Sequence, residues 1–146
     1  MAPGSSDPPA QAPRRLVRWL AVLIGVAAWS ILPPYVGPSL GLELDVTKKI
    51  EAIDHLIPGL LAVIGASTAL VLSRAGRFDS LPAFSGLAVC ALAGLFQTVS
   101  HISLVLHAGD PLQPVGSVAL HASPGPVLLV LALWLLLAPP LSETGP

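Results

Sequence analysis

The chain is short of charge and nearly without cysteine, and the two shortages exclude much of soluble protein chemistry. Only 10 % of its 146 residues are Asp, Glu, Lys or Arg, against roughly a quarter in a soluble domain. A water-soluble fold of this composition could not cover its own surface. A formal net charge of −1 and a complement of only two lysines speak against a nucleic-acid partner, because phosphate binding takes clustered Lys and Arg. The single cysteine, Cys90, rules out an intramolecular disulfide, a CxxC redox pair and a multi-cysteine metal site. Also missing are a glycine-rich phosphate loop, a GxSxG elbow, HExxH, HxH and an acidic magnesium motif. With no internal repeat, a stand-alone alternating-access transporter is not expected.

What is abundant is apolar. Ala, Val, Ile, Leu, Met, Phe, Trp, Tyr and Cys make up 53 % of the chain. The wealth of Ala, Gly, Pro, Leu and Val beside so few lysines is the composition of a GC-rich bacterial genome. Four stretches carry no charge: Trp19 to Leu42, His55 to Ser73, Ser80 to Gly109 and Pro111 to Ser142. Each reaches the ~20 apolar residues that a helix needs to cross a hydrocarbon core of ~30 Å. Soluble core helices would keep a polar face, and these stretches have none. The expectation is an all-α integral membrane four-helix bundle, residues 16–138, with helices at about 16–34, 50–73, 81–107 and 117–138. Residues 1–15, rich in Pro, Ala, Ser and Gly, read as a disordered cytoplasmic tail, and 139–146 as a second, short one.

Basic residues set the direction. Arg14, Arg15 and Arg18 precede the first span and Arg74 and Arg77 follow the second, whereas only Lys48 and Lys49 lie on the opposite side. The excess places both termini and the loop around Gly76 in the cytoplasm of a multi-pass cell-membrane protein. Trp19, Trp29, Tyr35 and Trp134 fall near span ends, where interfacial aromatics gather. A cleaved signal peptide over Arg14 to Ser30 is the rival reading. The apolar run continues through Ile31 and Leu32, longer than the ~7–15 residues of a signal-peptide core. Residues Leu40 to Lys49 alternate apolar and polar positions, the period of an extended segment.

Small residues recur at helical spacing: Gly86, Cys90 and Gly94; Ala21, Gly25 and Ala28; Ala62, Gly65, Ala66 and Ala69. Such stripes let helices approach closely where lipid supplies no hydrophobic drive, which makes Cys90 a packing residue. Two expected helices are broken near their outer ends, by Pro58–Gly59 and by Pro124–Gly125–Pro126, and each break frees carbonyl groups that a bilayer leaves unsolvated.

All four histidines, His55, His101, His107 and His121, fall on the outer side. Counting ~1.5 Å per residue, His55 and His121 lie about 4–5 Å inside the outer boundary, His107 near the surface and His101 about 9 Å deeper than His107. Glu51 stands four residues before His55, with Asp54 between them, so either carboxylate could orient a ring or back a metal-bound imidazole. Gln97 and His101 share a helix face; His101 and His107, six apart, do not. Neutral imidazole binds transition metals and is an axial haem ligand. The spacing matches no established motif, since Glu51 to His55 is ExxxH and not the ExxH of di-iron bundles.

Three functional readings follow. The first is a small non-enzymatic accessory or structural component of a membrane assembly, whose partners are the lipid bilayer and other membrane subunits. The second is a protein binding haem or a transition metal through His55, His101, His107 and His121, with Glu51 and Asp54 behind them. The third is a membrane enzyme acting on a lipid or quinone through Glu51, Asp54 and His55.

Overall fold

A computed structural model describes residues 13–42, 48–111 and 113–138, and only the backbone of residues 48–52. Both expected tails, apart from residues 13–15, and residues 43–47 of the alternating segment lie outside it. Among the described residues every regular element is a helix. The order is α1 (Arg14–Trp29), α2 (Pro33–Val36), a 3-10 turn (Pro38–Leu40), α3 (Lys48–Arg74), α4 (Leu81–Ser100), α5 (Ile102–Leu106), α6 (Val115–Ala122) and α7 (Pro124–Leu137).

Three segments are long and apolar enough to cross a membrane: Ile53–Arg74, Leu81–Ser100 and Val115–Leu137. Helix α1 has 16 residues. It tightens at its end, where the Ile31 and Leu32 amides reach back only three residues, to Ala28 and Trp29. The reason is local, because Pro33 and Pro34 bring no N–H to the next turn. Leu40, expected in an extended segment, closes the 3-10 turn, and Gly41 follows it in the left-handed region at φ 67°.

Pro58 leaves α3 unbroken, contrary to expectation, whereas the third expected helix breaks at an unmarked position and the fourth at its prolines. His101 sits between α4 and α5 at φ −99°, ψ 3°, the sparsely populated bridge region. Ser123 separates α6 from α7, since Pro124 and Pro126 leave the Leu120 and Ala122 carbonyls without helical donors.

Helix α3 packs along α4, α4 along α7, and α1 against α3 and α7. The shared interior is Leu16, Leu20, Leu23, Leu87, Leu128 and Leu135 set among alanines 27, 62, 66, 69 and 132. Small residues bring α3 and α4 to backbone contact: a Cβ on Gly65 would strike the Gly86 carbonyl, and one on Gly86 the Gly65 carbonyl. Beside them Cys90 is fully buried, and its thiol donates to the Ala62 carbonyl at 3.2 Å. The outward faces are apolar as well, with Ile64 63 %, Val71 65 %, Leu92 64 % and Val130 66 % exposed. A helix with apolar residues on both its packed and its open faces is at home in lipid.

Candidate functional site

The antiparallel run of α1 into α3 brings Ser30, at the end of α1, beside His55, near the start of α3. In a regular helix the Ser30 carbonyl would accept from residue 34, but Pro34 has no N–H. His55 fills the place: its Nδ1 donates to the Ser30 carbonyl at 2.7 Å, and both residues are fully buried. Gly59, one turn after His55, permits the approach, because a Cβ there would run into Ile31 and reach within 3.0 Å of Ser30 Oγ.

His101 enters from the break between α4 and α5. Its Nδ1 lies 2.7 Å from the Gln97 carbonyl and 3.0 Å from Ser100 Oγ. The Ser100 hydroxyl itself donates to the same Gln97 carbonyl at 3.1 Å. On the other side of the ring, His101 Nε2 meets His55 Nε2 at 3.1 Å. The third ring, His121, belongs to α6, with its Nδ1 on the Ser117 carbonyl at 2.8 Å and its centroid 5.8 Å from that of His55. His101 and His121 are only 4 % and 2 % exposed, so all three rings are held away from solvent.

These contacts fix the protons. A carbonyl oxygen only accepts, so Nδ1 of His55 and of His101 must each carry hydrogen. In neutral rings both Nε2 atoms are then bare acceptors, and they face one another at 3.1 Å. Two opposed lone pairs at that separation repel. A cation between them, whether a proton or a metal ion, removes the conflict.

Gln97 completes the surroundings from the turn before His101. It is 1 % exposed, and its Nε2 lies 3.4 Å from the Ser30 carbonyl and 3.5 Å from the His55 carbonyl. Its Oε1 is buried without a hydrogen-bond partner among the described residues. Gly125 allows α7 to close over this point, since a Cβ there would stand 2.8 Å from the Thr98 nitrogen and 3.0 Å from Gln97 Cβ.

The residues singled out in the sequence divide. His55, His101 and His121 come together, whereas His107 is exposed and turns its Nδ1 to the Ser103 carbonyl at 2.8 Å. Asp54 lines an apolar groove between α3 and α4, with Ile57, Leu61, Leu92 and Phe96. The side chain of Glu51 lies outside the described residues. Among the described residues no three His, Cys, Asp or Glu side chains meet in a ready-made coordination set, so the close pair supplies two donors. Ser30 was not legible as a partner of His55 from spacing alone, although Pro34 four residues later marks its carbonyl as unclaimed.

No known family model, curated protein or solved structure matches this chain. The site's chemistry therefore has to carry the functional reading.

Proposed function

We propose that this chain is a small four-span membrane protein that holds a transition metal ion between His55 and His101, acting as a non-enzymatic component of a membrane assembly. The observation that carries the reading is the 3.1 Å separation of two Nε2 atoms whose partner Nδ1 atoms are both committed to carbonyls. Two imidazoles bound at ~2.0–2.1 Å to a tetrahedral ion place their nitrogens ~3.3–3.4 Å apart. A shift of a few tenths of an ångström converts one arrangement into the other. Haem fits less well. Axial ligands on opposite sides of an iron stand ~4 Å apart at comparable bond lengths, with a flat macrocycle between them. The outer contacts support the ion too, because a metal-binding histidine regularly donates its other N–H to a carbonyl or carboxylate. His121 has the same Nδ1-to-carbonyl arrangement, with its ring edge to face with that of His55 at 5.8 Å. An all-imidazole site suits zinc, copper, iron or nickel.

The membrane part of the reading rests on three apolar segments of spanning length and on α1, which its tightened turns extend toward α2. With four spans, Arg14, Arg15, Arg18, Arg74 and Arg77 gather at the end opposite the histidines. The positive-inside rule then puts both termini in the cytoplasm and the metal ion in the outer half. The acid–base enzyme reading has less support, because Asp54 lines an apolar groove and not the histidine pair.

A second reading rests on the same distance: a proton shared by His55 and His101, in keeping with the two-donor count among the described residues. Metal loading separates the two. Purified protein dialysed against zinc or cobalt(II) should retain about one ion per chain, and the cobalt form should show the visible bands of a tetrahedral site. Loss of both in His55→Ala and His101→Ala assigns the ligands. Wild-type protein that retains no metal leaves the shared proton as the account of the pair.

A further inference from the structure

Helices α1 and α7 leave a groove between them, with its arginine-lined end away from the histidines. Trp19 and Trp134 meet across it edge to face, with ring centroids 5.1 Å apart and planes at 79°. On one side of the tryptophans runs an apolar slot of about 590 Å³, walled by Val22 and Val26 of α1 and Val127 and Val130 of α7. On the other side a hollow of about 490 Å³ is lined by Arg15 and Arg18, and it shares Trp19, Val22 and Trp134 with the slot. The two adjoin at the tryptophans, so the apolar slot has a cationic hollow at one end.

The helical period builds it. Arg15, Trp19, Val22 and Val26 follow one another at intervals of four, three and four and so share one face of α1. Val127, Val130 and Trp134 do the same on α7. The wall from Arg18 to Val26 extends ~12 Å along the helix, within the ~15 Å that one leaflet contributes to a ~30 Å core. Neither lining contains an acidic residue.

We propose that this groove binds one anionic phospholipid, its phosphate held by Arg15 and Arg18 and an acyl chain lying between Val26 and Val130. The charge pattern selects this occupant. Two guanidiniums above a slot with no polar side chain match a ligand that is negative at one end and hydrocarbon along the rest. Guanidinium pairs with phosphate through two parallel N–H bonds, and the ring tips of Trp19 and Trp134, 42 % and 37 % exposed, sit where headgroup meets chain. A partner helix would have to bring a carboxylate to the same register and leave the slot filled by side chains. The site depends on insertion in a bilayer but not on the metal site, with which it shares no lining residue.

Lipid binding to the full chain in a mild detergent tests it. Native mass spectrometry with phosphatidylglycerol and with phosphatidylcholine of identical chains should give one retained anionic lipid and no retained neutral lipid. Arg15→Gln with Arg18→Gln should weaken the anionic lipid by roughly twenty- to thirty-fold, at about fivefold per basic residue. Arg15→Lys with Arg18→Lys should keep most of the preference, which separates charge from misfolding. Val26→Trp should expel the lipid with both arginines intact, and glycerol phosphate without chains should not compete. Equal retention of both lipids, an unchanged preference in the double Gln variant, or a protein dimer that Val26→Trp disrupts in place of lipid binding would overturn the proposal. The zinc content of each variant stays at the wild-type level if the two sites are independent.

Discussion

His55 donates from Nδ1 to the Ser30 carbonyl at 2.7 Å, the carbonyl that Pro34 leaves without its helical donor. One proline thus links the bend after α1 to the tautomer of a histidine 25 residues beyond Ser30. With Nδ1 protonated, Nε2 is directed at His101, and the site exists because a helix was interrupted elsewhere.

That link predicts the effect of Pro34→Ala. An alanine restores an N–H that competes with His55 for the Ser30 carbonyl. Loss of an outer partner of a metal-bound histidine typically weakens binding ~10–100-fold, and a fall of that size in zinc affinity, with thermal stability nearly unchanged, is the expected outcome. Zinc titration against a competing chelator measures it. Unchanged affinity would show that the Ser30 contact does not set the tautomer.

The histidines should separate by position. His55→Ala and His101→Ala each remove a donor from the close pair and should have equal, non-additive effects on metal retention, because either alone dismantles the site. His121→Ala should weaken retention without abolishing it. His107→Ala, at an exposed ring on the Ser103 carbonyl, should leave it untouched. Metal content of the four single variants and the His55, His101 double variant is the measurement, and a loss confined to His107→Ala would refute the assignment.

Two glycines in different surroundings make a paired test. Gly59→Val inserts atoms where Ile31 and Ser30 already stand and should displace the Ser30 carbonyl, lowering both metal affinity and melting temperature. Gly25 has nothing within 4 Å of a built Cβ. Gly25→Ala should therefore raise stability by roughly 0.5–1 kcal/mol, the usual gain over a mid-helix glycine, and leave the metal in place. Thermal unfolding in detergent with and without zinc reads both.

Cys90 should be replaceable by a smaller residue and not by a larger one. Cys90→Ala gives up one weak thiol hydrogen bond to Ala62 and should cost no more than about 1 kcal/mol. Cys90→Leu forces side-chain volume into the seam where Gly65 and Gly86 bring two backbones together, and overpacking of this kind costs about 1–3 kcal/mol. Parallel melting curves distinguish them, and an inactive but well-folded alanine variant would give the thiol a chemical role.

Topology is the remaining prediction. Reporter fusions at both termini and beside Gly76 should all report the cytoplasm, because four spans would set five arginines on one side against two lysines on the other. A C-terminal fusion reporting the outside would leave an odd number of spans and remove α1 or α7 from the membrane.

The sequence by itself determined that the chain is helical and that its long helices are apolar. Charge-free runs of spanning length, arginines before Trp19 and after Ser73, and small residues every fourth position follow from composition and period alone, and the long apolar helices answer to them. It also determined which residue types gather toward one end of the helices, since position along a helix is a count of residues. Rotation about the helix axis was not legible, and rotation decides the site. His55, His101 and His107 were all expected toward the same end of the helices, yet the turn at His101 aims one ring at His55, while His107 stays exposed. Asp54 and His55 are adjacent in sequence, about 100° apart around α3, and end on different walls. The Ser30 carbonyl entered the site only when α1 and α3 packed. A backbone oxygen has no letter in the sequence, and its availability depends on the missing N–H four residues later and on the helix that arrives to use it.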